Sequence, residues 1–145
     1  WLICLLVRIW LVLSWKEKWY VILLFISGGF GALFRYAFSF WLFRFHLSKK
    51  IQGFVTVTIN GIGSFALGLC DATLEAASIY LFLSVGFLGA FTTFSSFSYE
   101  ALQLFFQKRY VQAVCYVLFT GLFCMMAYLC GYHCLMYGNR TIWIL

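Results

Sequence analysis

Between Gly86 and Ser98 the chain reads Gly86-Phe-Leu-Gly-Ala-Phe-Thr-Thr-Phe-Ser-Ser-Phe-Ser98, with two glycines and five hydroxyl side chains inside an otherwise apolar stretch. Phe94 and Phe97 add two rings at i, i+3 spacing. In hydrocarbon, polar side chains and loosened backbone are costly, so such a cluster marks a binding site or a permeation path. Gly86 and Gly89 weaken a helix, and Thr92, Thr93, Ser95, Ser96 and Ser98 offer competing side-chain hydrogen bonds. The pattern predicts a discontinuous helix, one half ending near Phe87 and the second starting near Phe94. Carbonyls freed at Gly89 and Thr92 would suit a small hard cation such as sodium. A continuous helix whose hydroxyls bond back to their own i−4 carbonyls explains the same residues equally well.

Elsewhere the chemistry is sparse. Cys4, Cys70, Cys115, Cys124, Cys130 and Cys134 lack CxxC spacing and have no His or carboxylate arranged with them, so they read as small buried hydrophobes. His46 lies in a basic loop and His133 near the end of an apolar run. No nucleotide-binding GxxxxGK[ST] is present. An intramembrane hydrolase would need a Ser/His or paired-acid constellation, and no histidine lies mid-span. The chain does not read as an enzyme.

The elements that must carry these residues are membrane helices. Of the 145 residues, 65% are hydrophobic, 23% aromatic and only 10% charged, with mean hydropathy +0.97. A soluble domain of this size could not bury so much apolar surface, so lipid is its solvent. Four apolar runs, Tyr20 to Phe43, Ile51 to Cys70, Ile79 to Phe106 and Tyr110 to Tyr137, each reach the roughly 20 residues that cross about 30 Å of hydrocarbon. The fold class is therefore all-α with four transmembrane helices. Short connections predict consecutive spans as antiparallel neighbours in a compact four-helix unit. Gly28 with Ala32 and Ser64 with Gly68 form small-xxx-small pairs, and packing is the role read for Gly28, Gly63 and Gly68. Residues 1–15 form an apolar extension of doubtful status, and residues 16–145 form the four-span domain.

The net charge of +6 would suggest nucleic acid in a soluble protein. Here the basic residues sit at span ends, where they reach lipid headgroups, and no nucleic-acid partner is expected. Arg44, Lys49, Lys50, Lys108 and Arg109 lie on one side, against Lys16, Lys18, Arg140 and Arg8 on the other. So small a bias allows insertion in both orientations.

Three segments resemble one family. Gly28-Gly-Phe-Gly-Ala-Leu-Phe-Arg-Tyr36 is similar, with one residue fewer between its glycines, to the GGxxGAxxRY signature of the fluoride channels called Fluc or CrcB. Asn60-Gly-Ile-Gly-Ser-Phe-Ala-Leu-Gly68 resembles their NxxGSFxxG element, and Gly86 to Phe97 resembles their GxxGxxTTFSTF element. One motif falls in each of spans one to three, in the family's order. The resemblance implies an antiparallel, dual-topology homodimer in the cell (inner) membrane, with two fluoride pores, a central structural Na+ and a third helix broken near the bilayer midplane. It implies Phe94 and Phe97 as pore-lining rings, Asn60 as an amide donor to fluoride, and the Gly89 and Thr92 carbonyls as sodium ligands. Arg35 would supply positive potential at the vestibule, with pairing to Glu100 as the alternative. Ser95, Ser96 and Thr56 would add hydroxyls along the path, and Tyr116 and Thr120, on one face of span four with Cys124, would extend it.

The chain departs from the family's pattern in reading Val55-Thr-Val-Thr-Ile-Asn60 where a glycine precedes the threonine, and in placing Cys124 where a serine is expected. The implied function is passive, fluoride-selective export that lowers cytoplasmic fluoride. The alternative is a proton-coupled multidrug exporter of four spans, which needs a membrane-embedded carboxylate. Glu100 is its one candidate.

Overall fold

The computed structural model describes residues 15–45, 52–74 and 77–142, and among them every regular element is helical. The extension at 1–14 and His46 lie outside the described residues. Helix α1 runs Trp15–Phe45 and α2 runs Gln52–Thr73. Helix α3 has three pieces: an α turn Ala77–Tyr80, a π-helical stretch Leu81–Leu88 and a closing α turn Gly89–Phe91. Helices α4 (Phe94–Phe106) and α5 (Tyr110–Ile142) complete the chain. Four segments among the described residues are long and apolar enough to cross a membrane: Lys18–Leu42, Gly53–Thr73, Leu81–Phe106 and Tyr110–Met136.

Packing departs from the expected neighbours. The closest pairs are α2 with α5 and α1 with α3, whereas α1 and α2 touch only slightly. Close backbone approach decides this. A Cβ on Gly68 would collide with the Tyr128 carbonyl of α5, and one on Gly131 with the Phe65 carbonyl of α2. Likewise a Cβ on Gly31 would meet the Phe87 carbonyl of α3. Gly28, by contrast, has only ordinary contacts near 3.8 Å. Without a hydrophobic drive between helices in lipid, such close approach is what selects partners. Tyr128 also donates to the Asp71 carboxylate at 2.6 Å, tying α2 to α5 a second time.

Val55, Ile59 and Phe91 form the buried core, with Phe38 and Leu42 packed against it. Many large apolar side chains elsewhere face outward, which lipid tolerates and water would not. The cysteines correct one expectation. Cys115, Cys130 and Cys134 are exposed, so their apolar surroundings lie outside the helix bundle, while Cys70 and Cys124 are half-buried.

Candidate functional site

The interruption between α3 and α4 is built by two residues. Thr92 (φ −71°, ψ 156°) and Thr93 (φ −138°, ψ 113°) are extended, and the Thr93 side chain caps α4 by accepting from the Ser96 amide at 3.2 Å. The first half persists past Phe87 to Phe91, because the π-winding absorbs Gly86 and Gly89 keeps helical angles (φ −61°, ψ −34°). Such π segments recur at functional sites.

Extended residues in a membrane span leave backbone groups that need partners. Asn60 of α2 supplies them: its Oδ1 accepts from the Thr93 N–H at 2.8 Å and its Nδ2 donates to the Thr93 carbonyl at 3.1 Å. These two partners fix the orientation of the amide and leave one Nδ2 proton over. In a continuous helix the Thr93 N–H would go to the Gly89 carbonyl, which therefore loses its usual donor. The Thr92 carbonyl accepts from Arg35 Nη1 at a long 3.5 Å. Arg35 thus reaches the interruption from α1 and does not pair with Glu100.

A groove of about 340 Å³ opens beside this point, bordered by Asn60, Ser64, Ser84, Gly89, Thr92, Thr93, Phe94, Phe97, Thr120 and Cys124. The Phe94 and Phe97 rings lie 5.8 Å apart, tilted by 47°. Phe94 is 80% exposed, so a single chain does not enclose the groove. Ser95 and Ser96 sit at the start of α4, both hydroxyls 3.2 Å from Thr93 Oγ1. Thr120 is buried and turns back to the Tyr116 carbonyl at 2.7 Å.

Thr56 and Tyr116 belong to a second cluster. Glu100, buried, accepts from Thr56 Oγ1 at 2.7 Å and from the Tyr116 hydroxyl at 2.5 Å. Glu100 and Tyr116 border a larger, mostly apolar cavity of about 1080 Å³ between α2, α4 and α5. The Phe97 ring stacks on Tyr116 at 5.5 Å, so one aromatic contact joins the two recesses. Glu100 and Thr93 are central to the site, although the sequence pattern singles out neither as a pore residue. The available signal was that an acid inside an apolar span must be partnered.

Among the described residues no three His, Cys, Asp or Glu side chains come together to hold a metal. A cation here would rest on backbone oxygens, and both Gly89 and Thr92 border the groove. Hard carbonyl oxygens suit Na+, but two per chain leave its shell incomplete, so further ligands would have to come from elsewhere.

The family described as CrcB-like protein, Camphor Resistance (CrcB), matches residues 22–132. The chain belongs to the CrcB family. A Methanosarcina barkeri protein named fluoride-specific ion channel FluC 3 is 40% identical over 118 residues, 77% of this chain and 87% of that protein. Idiomarina loihiensis and Thermosipho melanesiensis proteins, each named fluoride-specific ion channel FluC, are 39% and 40% identical, covering 70% of this chain and 81% and 86% of theirs. The CrcB match runs from within α1 into α5, and so includes Arg35, Asn60, the α3–α4 interruption, Glu100 and Thr120.

Proposed function

We propose that the chain is one protomer of a fluoride-selective channel of the cell (inner) membrane, which lets fluoride leave the cytoplasm passively. The observation that carries this is the gathering of Asn60, Thr93, Phe94, Phe97 and Thr120 on one groove at the interruption of the third span, in a chain whose relatives bear that name. Fluoride is small and strongly hydrated, so a pore must replace its water with donors yet hold it weakly enough to release it. The second Asn60 amide proton, the Ser95 and Ser96 hydroxyls and the positive edges of Phe94 and Phe97 are such groups. Thr56, Tyr116 and Glu100 form the adjoining polar stretch, joined to the rings through Phe97.

The exposed Phe94 supports a second copy as the other wall, arranged antiparallel as the nearly balanced loop charges permit. Thr92 and Thr93 lie halfway along the Leu81–Phe106 span, which fits an interruption near the bilayer midplane. The Gly89 and Thr92 carbonyls, doubled by a second copy, would hold a structural Na+ that neutralises the carbonyl dipoles there. Arg35 beside the Thr92 carbonyl fits support of the interruption better than a vestibule role. The exporter alternative has no support: the relatives are named as channels, and Glu100 is already engaged by two hydroxyls.

The test is reconstitution into liposomes loaded with potassium fluoride and read with a fluoride electrode. Fluoride efflux with almost no chloride efflux is expected. Equal leakage of both halides, or no fluoride efflux from well-sealed vesicles, overturns the proposal.

A further inference from the structure

Ser84 is 4% exposed, borders the groove, and its Oγ has no hydrogen-bond partner among the described residues. Its neighbours in kind behave differently. Thr58, Thr73, Thr92, Ser98 and Thr120 each turn their hydroxyl back to the carbonyl four residues earlier, at 2.7–3.0 Å. Such back-bonding is the ordinary outlet for a hydroxyl in an apolar helix. Ser84 lies inside the π-helical stretch Leu81–Leu88, and its own carbonyl accepts from the Gly89 amide. That wide turn places Ser84 on the same face as Gly89, and both border the groove.

A buried hydroxyl left without a partner is destabilising, so a well-packed protein keeps one where something else binds it. The polar surface nearby identifies what that is. Asn60 has satisfied its oxygen on the Thr93 amide and retains a spare N–H, while Ser84 has a proton with no acceptor. Unspent donors thus border the groove at Asn60 and Ser84, beside the Gly89 carbonyl, and two converging donors suit an anion.

We propose that Ser84 is a further binding residue for the permeating anion, donating its hydroxyl to fluoride as it passes along the groove. The inference rests on the channel reading above and extends it to a residue on the first half of the broken helix, before the interruption. No motif drew attention to this position. Fluoride would then meet donors from both halves of the third span.

The experiment compares wild type, Ser84→Ala and Ser84→Thr by fluoride efflux from liposomes at several fluoride concentrations, with thermal unfolding in detergent alongside. Losing one uncompensated donor should lower Ser84→Ala efflux about fivefold, while Ser84→Thr stays within about twofold of wild type. The unfolding midpoint of Ser84→Ala should match or exceed that of wild type, because the alanine removes an unsatisfied buried group. Wild-type efflux in Ser84→Ala overturns the proposal. So does a flux loss that tracks a fall in the midpoint, or one reversed by raising sodium, which would make Ser84 a cation ligand. Wild-type vesicles that pass no fluoride overturn the channel reading, and this inference with it.

Discussion

Glu100 accepts from Thr56 Oγ1 at 2.7 Å and from Tyr116 at 2.5 Å, and through them ties α4 to α2 and α5. A carboxylate this deep in an apolar helix is tolerable because both oxygens are occupied by donors. Glu100→Gln keeps one acceptor oxygen, and either hydroxyl can rotate to accept from the new amide. Glu100→Leu instead removes the acceptor of both hydroxyls. Glu100→Leu should therefore lose stability by about 1–3 kcal/mol for the acceptor that the Tyr116 hydroxyl loses, and Glu100→Gln clearly less. Thermal unfolding of the two variants in one detergent checks this, and equal midpoints would show that the hydroxyls do not depend on Glu100. Asn60 shows the same logic with backbone as partner. Asn60→Asp would still accept from the Thr93 amide but would set a carboxylate oxygen against the Thr93 carbonyl, now 3.1 Å from the Nδ2 donor. Fluoride efflux should fall at least about tenfold, since the amide donor and the local geometry are lost together. Unchanged efflux would remove Asn60 from the path.

Helix pairing depends on a few missing side chains. Gly68 faces the Tyr128 carbonyl so closely that any Cβ forces α2 and α5 apart, whereas Gly29 has nothing within 4 Å of the position a Cβ would take. Gly68→Ala should cost about 1–3 kcal/mol by overpacking. Gly29→Ala should be neutral, or stabilising by up to about 1 kcal/mol through helix propensity. Thermal midpoints that fall equally in both variants would mean that close approach is not what holds the pair. The four spans were legible from their apolar runs because hydrocarbon thickness fixes their length. Their pairing was not, since small residues occur on all four spans and only three-dimensional approach shows which of them meet a backbone. The interruption was legible as glycines and hydroxyls, and so was the restart at Phe94, but not its narrowing to Thr92 and Thr93. That position is held by Asn60, a partner 33 residues away, and by π-winding that no local pattern announces. Glu100 was visible as an acid in an apolar span. Its partners lie 44 and 16 residues away, and no spacing rule reaches them.

At the scale of the molecule, the proposed function makes one chain half a channel. The groove that gathers the donors is open, and Phe94 on its rim is 80% exposed. Closing it with a second copy in parallel would need only one orientation in the membrane, and an antiparallel copy needs both. Loop charge is the property that separates these arrangements, because an excess of Lys and Arg holds a connection in the cytoplasm. The five basic residues on one side face three or four on the other, so neither orientation is strongly imposed. The turn between α4 and α5 offers a place to read the outcome. Gln107 is exposed there, next to Lys108 in the left-handed conformation (φ 59°) that closes the turn. With the native cysteines replaced, Gln107→Cys should react with a membrane-impermeant maleimide in about half of the molecules in intact cells, and in the rest only after permeabilisation. Adding three lysines after Leu145 should shift that ratio and lower fluoride efflux in parallel, because antiparallel pairs need both orientations in supply. Labelling that is all-or-none in the starting protein would rule out the antiparallel arrangement, and with it the doubling of the Gly89 and Thr92 carbonyls around one ion.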